Sequence, residues 1–137
     1  MKKTIGITMI LIASALFIVG CGTVMITGRQ QILLYNQGQI TSLSNQAYID
    51  LMAESTLSSS QNNLNMVRKV GERITGAVAE YLKQKGLESE LEGIRWKFDV
   101  IKGDQVNAFC LPNGNIVFYD GIMKLTNTPD LIAVVMG

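Results

Sequence analysis

Apolar residues are spaced differently in successive parts of this chain, and each spacing predicts a different element. From Thr4 to Gly20 they run almost unbroken behind Lys2 and Lys3. Between Gln37 and Ala53, Ile40, Leu43, Ala47, Leu51 and Met52 recur at three- and four-residue steps, which predicts a helix. The polar stretch STLSSSQNNLN predicts a break. A second helix follows, with Val67, Val70, Ile74, Ala77, Val78 and Tyr81 as its apolar stripe and Gly86 as a stop after Lys85. At Ile94 the period falls to two. Ile94, Trp96, Phe98 and Val100 alternate with polar partners, as a strand with one buried face requires. VNAFCL and NIVFYD form a hairpin about Pro112, Asn113 and Gly114, since Asn and Gly tolerate positive φ. The final TPDLIAVVMG opens a helix with Thr128 as N-cap, Pro129 in the first turn and Asp130 at the positive dipole end. Its residues are apolar all round, the pattern of a helix buried on every side. The fold class expected is α+β, with helices packed on a small antiparallel sheet that includes a hairpin.

The first twenty residues carry the marks of an export signal: two lysines, an uncharged apolar run, and then IVGC ending at Cys21. IVGC resembles a bacterial lipobox, in which the cysteine is acylated and the leader removed, so a lipid bilayer is expected as a partner through Cys21. Acyl chains contribute on the order of 0.8 kcal/mol per buried methylene, enough for two or three of them to anchor a small protein. An uncleaved anchor is the alternative. Residues 1–20 are thus expected to be a lipoprotein signal peptide and 21–36 a lipidated N-terminus and tether. Location in the cell envelope follows, facing the periplasm, with Gly22 after the cysteine favouring the outer over the inner membrane.

Removing Lys2 and Lys3 from the twelve Lys and Arg leaves ten against eleven Asp and Glu, a formal charge of −1 from Cys21 onward. No basic run interleaved with aromatics occurs, which argues against nucleic-acid binding. The chain contains no histidine, so it lacks the usual general base and the commonest metal ligand. Cys110, the one thiol besides Cys21, is expected to be a small buried hydrophobe, and Trp96 to be packing.

VNAFCLPNGNIVFYDGIM followed by TPDLIAVVMG, together with the earlier VRKVGERITGAV and WKFDVIKGDQVNAF, resembles zinc metallopeptidase family forty-eight. These are the gluzincins related to the CAAX prenyl endopeptidase and HtpX, with many bacterial lipoprotein members. The resemblance covers roughly 38–137, and makes 37–137 the N-terminal part of such a catalytic domain, incomplete and ending just before the motif. In that family a segment like Asp130 to Gly137 runs directly into His-Glu-x-x-His, two helical histidines that share a zinc ion and a glutamate that acts on its water. None of the three is present here, so the resemblance implies zinc for a full-length member, no zinc bound by this chain, and no proteolysis by it alone. The implied reaction is zinc-dependent cleavage of unfolded or damaged envelope proteins, a quality-control function. Asn107, Ala108 and Phe109 match the family's edge strand, on which a substrate backbone could lie, although Phe109 also fits a plain core position. Asn113 stands where the family often has glycine. Two other readings stay open: a non-catalytic envelope lipoprotein serving as a binding or adaptor module, and a truncated pseudo-peptidase.

If Cys21 is the acylation site, Cys21→Ser leaves the leader uncleaved or the protein mislocalised. Mass spectrometry of membrane-extracted protein should find an acylated Cys21 at the N-terminus; an intact Met1 with a free Cys21 thiol contradicts the lipobox reading.

Overall fold

The computed structural model describes residues 21–23, 30–32 and 35–137. The leader expected over 1–20 lies outside the described residues, and of Cys21 only the backbone is described. Two compact units are present, 1–37 and 38–137. In the first, β1 (Cys21–Thr23) pairs antiparallel with β2 (Gln30–Ile32). No helix among the described residues is long and apolar enough to cross a membrane.

The second unit contains α1 (Gln37–Glu54, from its second residue), α2 (Gln61–Gln84), a 3₁₀ turn (Glu88–Leu91), β3 (Lys97–Ile101), β4 (Ala108–Cys110), β5 (Asn115–Tyr119), α3 (Asp120–Met123) and α4 (Pro129–Met136). The α+β expectation holds. The sheet, however, is mixed rather than antiparallel: its order is β3-β5-β4, with β4 and β5 forming the expected hairpin while β3 runs parallel to β5. A short crossover, residues 102–107, makes this possible. It passes close over the start of α3, where Gly121 N–H donates to the Gly103 carbonyl at 2.8 Å, and where a Cβ on Gly121 would strike the Asp104 and Gln105 carbonyls.

α2 begins earlier than the polar stretch suggests. Ser60 caps it, accepting from Asn63 N–H, so Gln61 to Asn65 belong to the helix. The rest of that stretch is a rail along β3: Ser58 N–H donates to Val100 O and Lys102 N–H to Thr56 O, each at 2.8 Å. At the other end Gly86 takes a φ of 67°, with Leu87 N–H returning to Leu82 O and Gly86 N–H to Lys83 O, a Schellman closure. Val67 and Val70 are buried and Ile74 packs on the core, but Val78 and Tyr81 are exposed, because the helix outruns the sheet beneath it.

β3 starts at Lys97, three residues later than its periodicity suggested. Trp96 therefore lies outside the strand and is 38% exposed. From Phe98 to Ile101 every position is buried, because the core covers one face of this strand and α1 reaches the other. Phe98, Val100, Ile116 and Phe118 face α2 and α4 in the main core. Asp99, on the other face, is 7% exposed and accepts a 2.6 Å hydrogen bond from Tyr48 of α1. α1 thus meets the sheet through polar groups. Leu43, assigned to its buried stripe, is 60% exposed, and Ala47 is exposed too, whereas Ser44 is buried.

The hairpin turn closes with Gly114 N–H on Leu111 O at 2.9 Å, and only Gly114 takes positive φ, at 92°. Asn113 does different work. It is buried, its Oδ1 accepts from Asn115 N–H, and its Nδ2 donates to Asn45 Oδ1 at 2.7 Å, fastening the turn to α1. α4 forms as expected, with Thr128 Oγ1 accepting from Leu131 N–H and Pro129 in its first turn. It is not buried on every side. Ile132 is fully buried, with Ala133 and Met136 against the core, while Leu131, Val134 and Val135 are exposed, since only α2 and the core lie against it.

Gly71 sets the distance between α2 and the sheet. A Cβ there would overlap the ring of buried Phe98. Alanine normally gains about 1 kcal/mol over glycine inside a helix. Here Gly71→Ala should instead destabilise by roughly 1–3 kcal/mol through overpacking, with Phe98→Leu recovering part of the loss. Urea denaturation checks this; a more stable Gly71→Ala protein contradicts the packing described.

Candidate functional site

β4 is an edge strand. Its inner side is fixed by the ladder to β5, which is flanked by Leu111 N–H donating to Asn115 O and Tyr119 N–H donating to Asn107 O. Antiparallel pairing alternates, so Phe109 exchanges bonds with Val117, while the N–H and C=O of Ala108 and Cys110 point away from the sheet. Among the described residues nothing pairs with that outer side. Of the expected substrate strand, Asn107, Ala108 and Phe109, the structure therefore presents Ala108 outward, turns Phe109 inward, and adds Cys110. Asn107 lies just before the strand, exposed, with its carbonyl committed to Tyr119. The Phe109 ring is half-buried, tilted against Tyr119 at 6.4 Å.

Beside this edge runs a mainly apolar groove of about 530 Å³. Ile74, Thr75 and Val78 of α2 form one wall, and Ile116 and Phe118 lie among its lining residues. The last residues of α4, Val135 and Met136, with Gly137, line it as well. Val78 and Trp96, both partly exposed, thus border the groove, whereas Tyr81 lies outside it. Cys110, expected to be buried, is an exposed free thiol on the edge, its Sγ donating weakly to Leu111 O at 3.4 Å. The sequence misplaced it because alternation in a three-residue edge strand does not tell the core side from a groove. Partial desolvation there pushes the thiol above its ordinary pKa, away from the reactive thiolate.

The opposite face of the sheet carries a polar cluster that periodicity did not reveal. Lys97 Nζ lies 4.7 Å above the Tyr48 ring and 3.8 Å from Asp99 Oδ2. Burial, then the hydrogen bond to Asp99, pushes the Tyr48 hydroxyl upward. The Tyr48 oxygen does most to raise Lys97, which stays a cation. The available signal was the spacing of Ser44, Asn45 and Tyr48 on α1, one polar stripe one helical turn long.

Zinc, which the family resemblance implies, finds no fitting donor set in this part of the chain. There is no histidine, and among the described residues no three His, Cys, Asp or Glu side chains converge. The residues that surround the groove offer backbone edges and apolar walls.

Metalloendopeptidase OMA1, mitochondrial, from Danio rerio is 24% identical over 136 residues, which is 96% of this chain and 27% of that protein. Mitochondrial metalloendopeptidase OMA1 from Arabidopsis thaliana is 40% identical over 55 residues, 40% of this chain and 11% of its own length. The chain thus spans about a quarter or less of these relatives. Residues 68–137, from early α2 through the edge strand to the end of α4, match Peptidase family M48 over half of the chain, and the chain belongs to that family.

Proposed function

We propose that this chain supplies the substrate-binding part of a zinc-dependent metalloendopeptidase domain, with the metal ligands coming from outside these 137 residues. The observation that supports it is the open edge of β4 beside the end of α4, in one groove. An unfolded polypeptide can add to that edge as a further strand, bonding to the N–H and C=O of Ala108 and Cys110 while its apolar side chains enter the groove. Unfolded or damaged proteins offer long stretches of unpaired extended backbone, and these are the substrates such an edge suits. Cys21 after its apolar leader makes the setting a bacterial envelope, with acyl chains as anchor. In the family's pattern a helix like α4 continues into the two histidines, which would put zinc at the groove's end, where it supplies Lewis-acid activation of water. A binding or adaptor module is the second reading, favoured by an intact peptide edge in a chain without a metal-ligating cluster among its described residues.

The test compares this chain with a version extended through a His-Glu-x-x-His helix and the later glutamate. Chelator-sensitive casein cleavage is expected only from the extended protein. In it, Cys110→Pro removes one outward N–H without touching the ladder to β5, and should lower kcat/KM about tenfold. Cleavage by the 137-residue chain itself, or none by the zinc-loaded extended one, would falsify the assignment.

A further inference from the structure

A second hollow lies on the α1 side of the sheet. It holds about 650 Å³ between α1 and the first residues of β3 and β5, and no carboxylate is among its lining residues. Its chemistry is that of donors. Arg95 is exposed at its rim and makes no ion pair among the described residues. Lys97 lies opposite Asn115 in the β3–β5 register. The nearby acid, Asp99, is already committed to the Tyr48 hydroxyl and to Lys97, so the local balance of Arg95, Lys97 and Asp99 is positive.

Asn115 is the informative residue. It is 8% exposed, yet among the described residues its carboxamide makes no hydrogen bond within the protein. Because no fully buried side-chain polar atom is left without a partner, the amide must reach the surface that remains to it, which is the hollow. Open to water there and unclaimed by the protein, the amide is available to a ligand. We propose that the hollow binds an oxyanion, the phosphate or carboxylate group of a small ligand, through the Arg95 guanidinium, the Lys97 ammonium and the Asn115 amide. A planar guanidinium suits two oxygens at once, and the amide supplies a fixed neutral donor from the floor. Trp96 lines both this hollow and the peptide groove, so the ligand would sit against a residue shared by the two sites.

Trp96 is the protein's only tryptophan and reports occupancy directly. The full chain, in non-ionic detergent, is titrated with sodium phosphate and separately with sodium acetate, with sodium chloride holding ionic strength constant. A saturable change in Trp96 fluorescence is expected. Saturation by phosphate alone assigns a tetrahedral oxyanion, and by acetate alone a carboxylate. Arg95→Gln, at an exposed position that folding does not depend on, should weaken the response about tenfold or more. Asn115→Asp, nearly isosteric, should abolish it by setting a negative charge at the floor. A response that never saturates with either anion, or one that saturates equally in the Arg95→Gln protein, overturns the proposal.

Discussion

Strand β5 is hydrogen-bonded on both sides, to β3 in parallel and to β4 antiparallel, and the rest of the second unit is arranged around that double pairing. Because β3 takes one side, the hairpin partner β4 is left outermost. The Thr56–Ser58 rail takes the other edge of β3, while the core covers one of its faces and Tyr48 of α1 meets Asp99 on the other. α2 closes on the inner face only as far as Phe98 against Gly71 allows, and that distance brings Ile74 and Val78 to the wall of a groove. α4 packs on α2 through Ile132, which carries its last turn to the same groove.

An exposed strand edge is ordinarily a liability, blunted by charge, proline or a covering segment. β4 has none of these within Ala108–Cys110, and an apolar groove lies along it. On the function proposed above, an edge left open beside the end of α4 is a place for a guest strand. Such a role would be distinct from the metal chemistry that membership in Peptidase family M48 implies. The two faces of the sheet differ in chemistry: an apolar side bordered by the groove, and a polar side where Tyr48, Asp99 and Lys97 join α1 to the sheet next to a second hollow.

Much of this was legible in the sequence. Thr128 and Pro129 announced α4, Gly86 ended α2, and Pro112 to Gly114 announced the hairpin, because caps and turns are written in local residues. The parallel run of β3 was not, since strand direction depends on the crossover at 102–107, whose tight passage shows only in the glycines at 103 and 121. Burial was misjudged where the environment is tertiary. Leu43 faces solvent because α1 docks through Ser44 and Tyr48, and Trp96 and Cys110 border a groove that one-dimensional alternation cannot distinguish from a core. For the candidate site, motif resemblance singled out this strand but not which of its residues turn their backbone outward, a matter of register alone.

Amide hydrogen exchange read residue by residue on the hairpin is the most direct test of the open edge. In the free chain the account predicts fast exchange at Ala108 and Cys110 beside slow exchange at Phe109, and slowing of the two fast amides when excess unfolded casein is added. Ala108 and Cys110 already as slow as Phe109 in the free chain, or unaffected by the unfolded polypeptide, would contradict it.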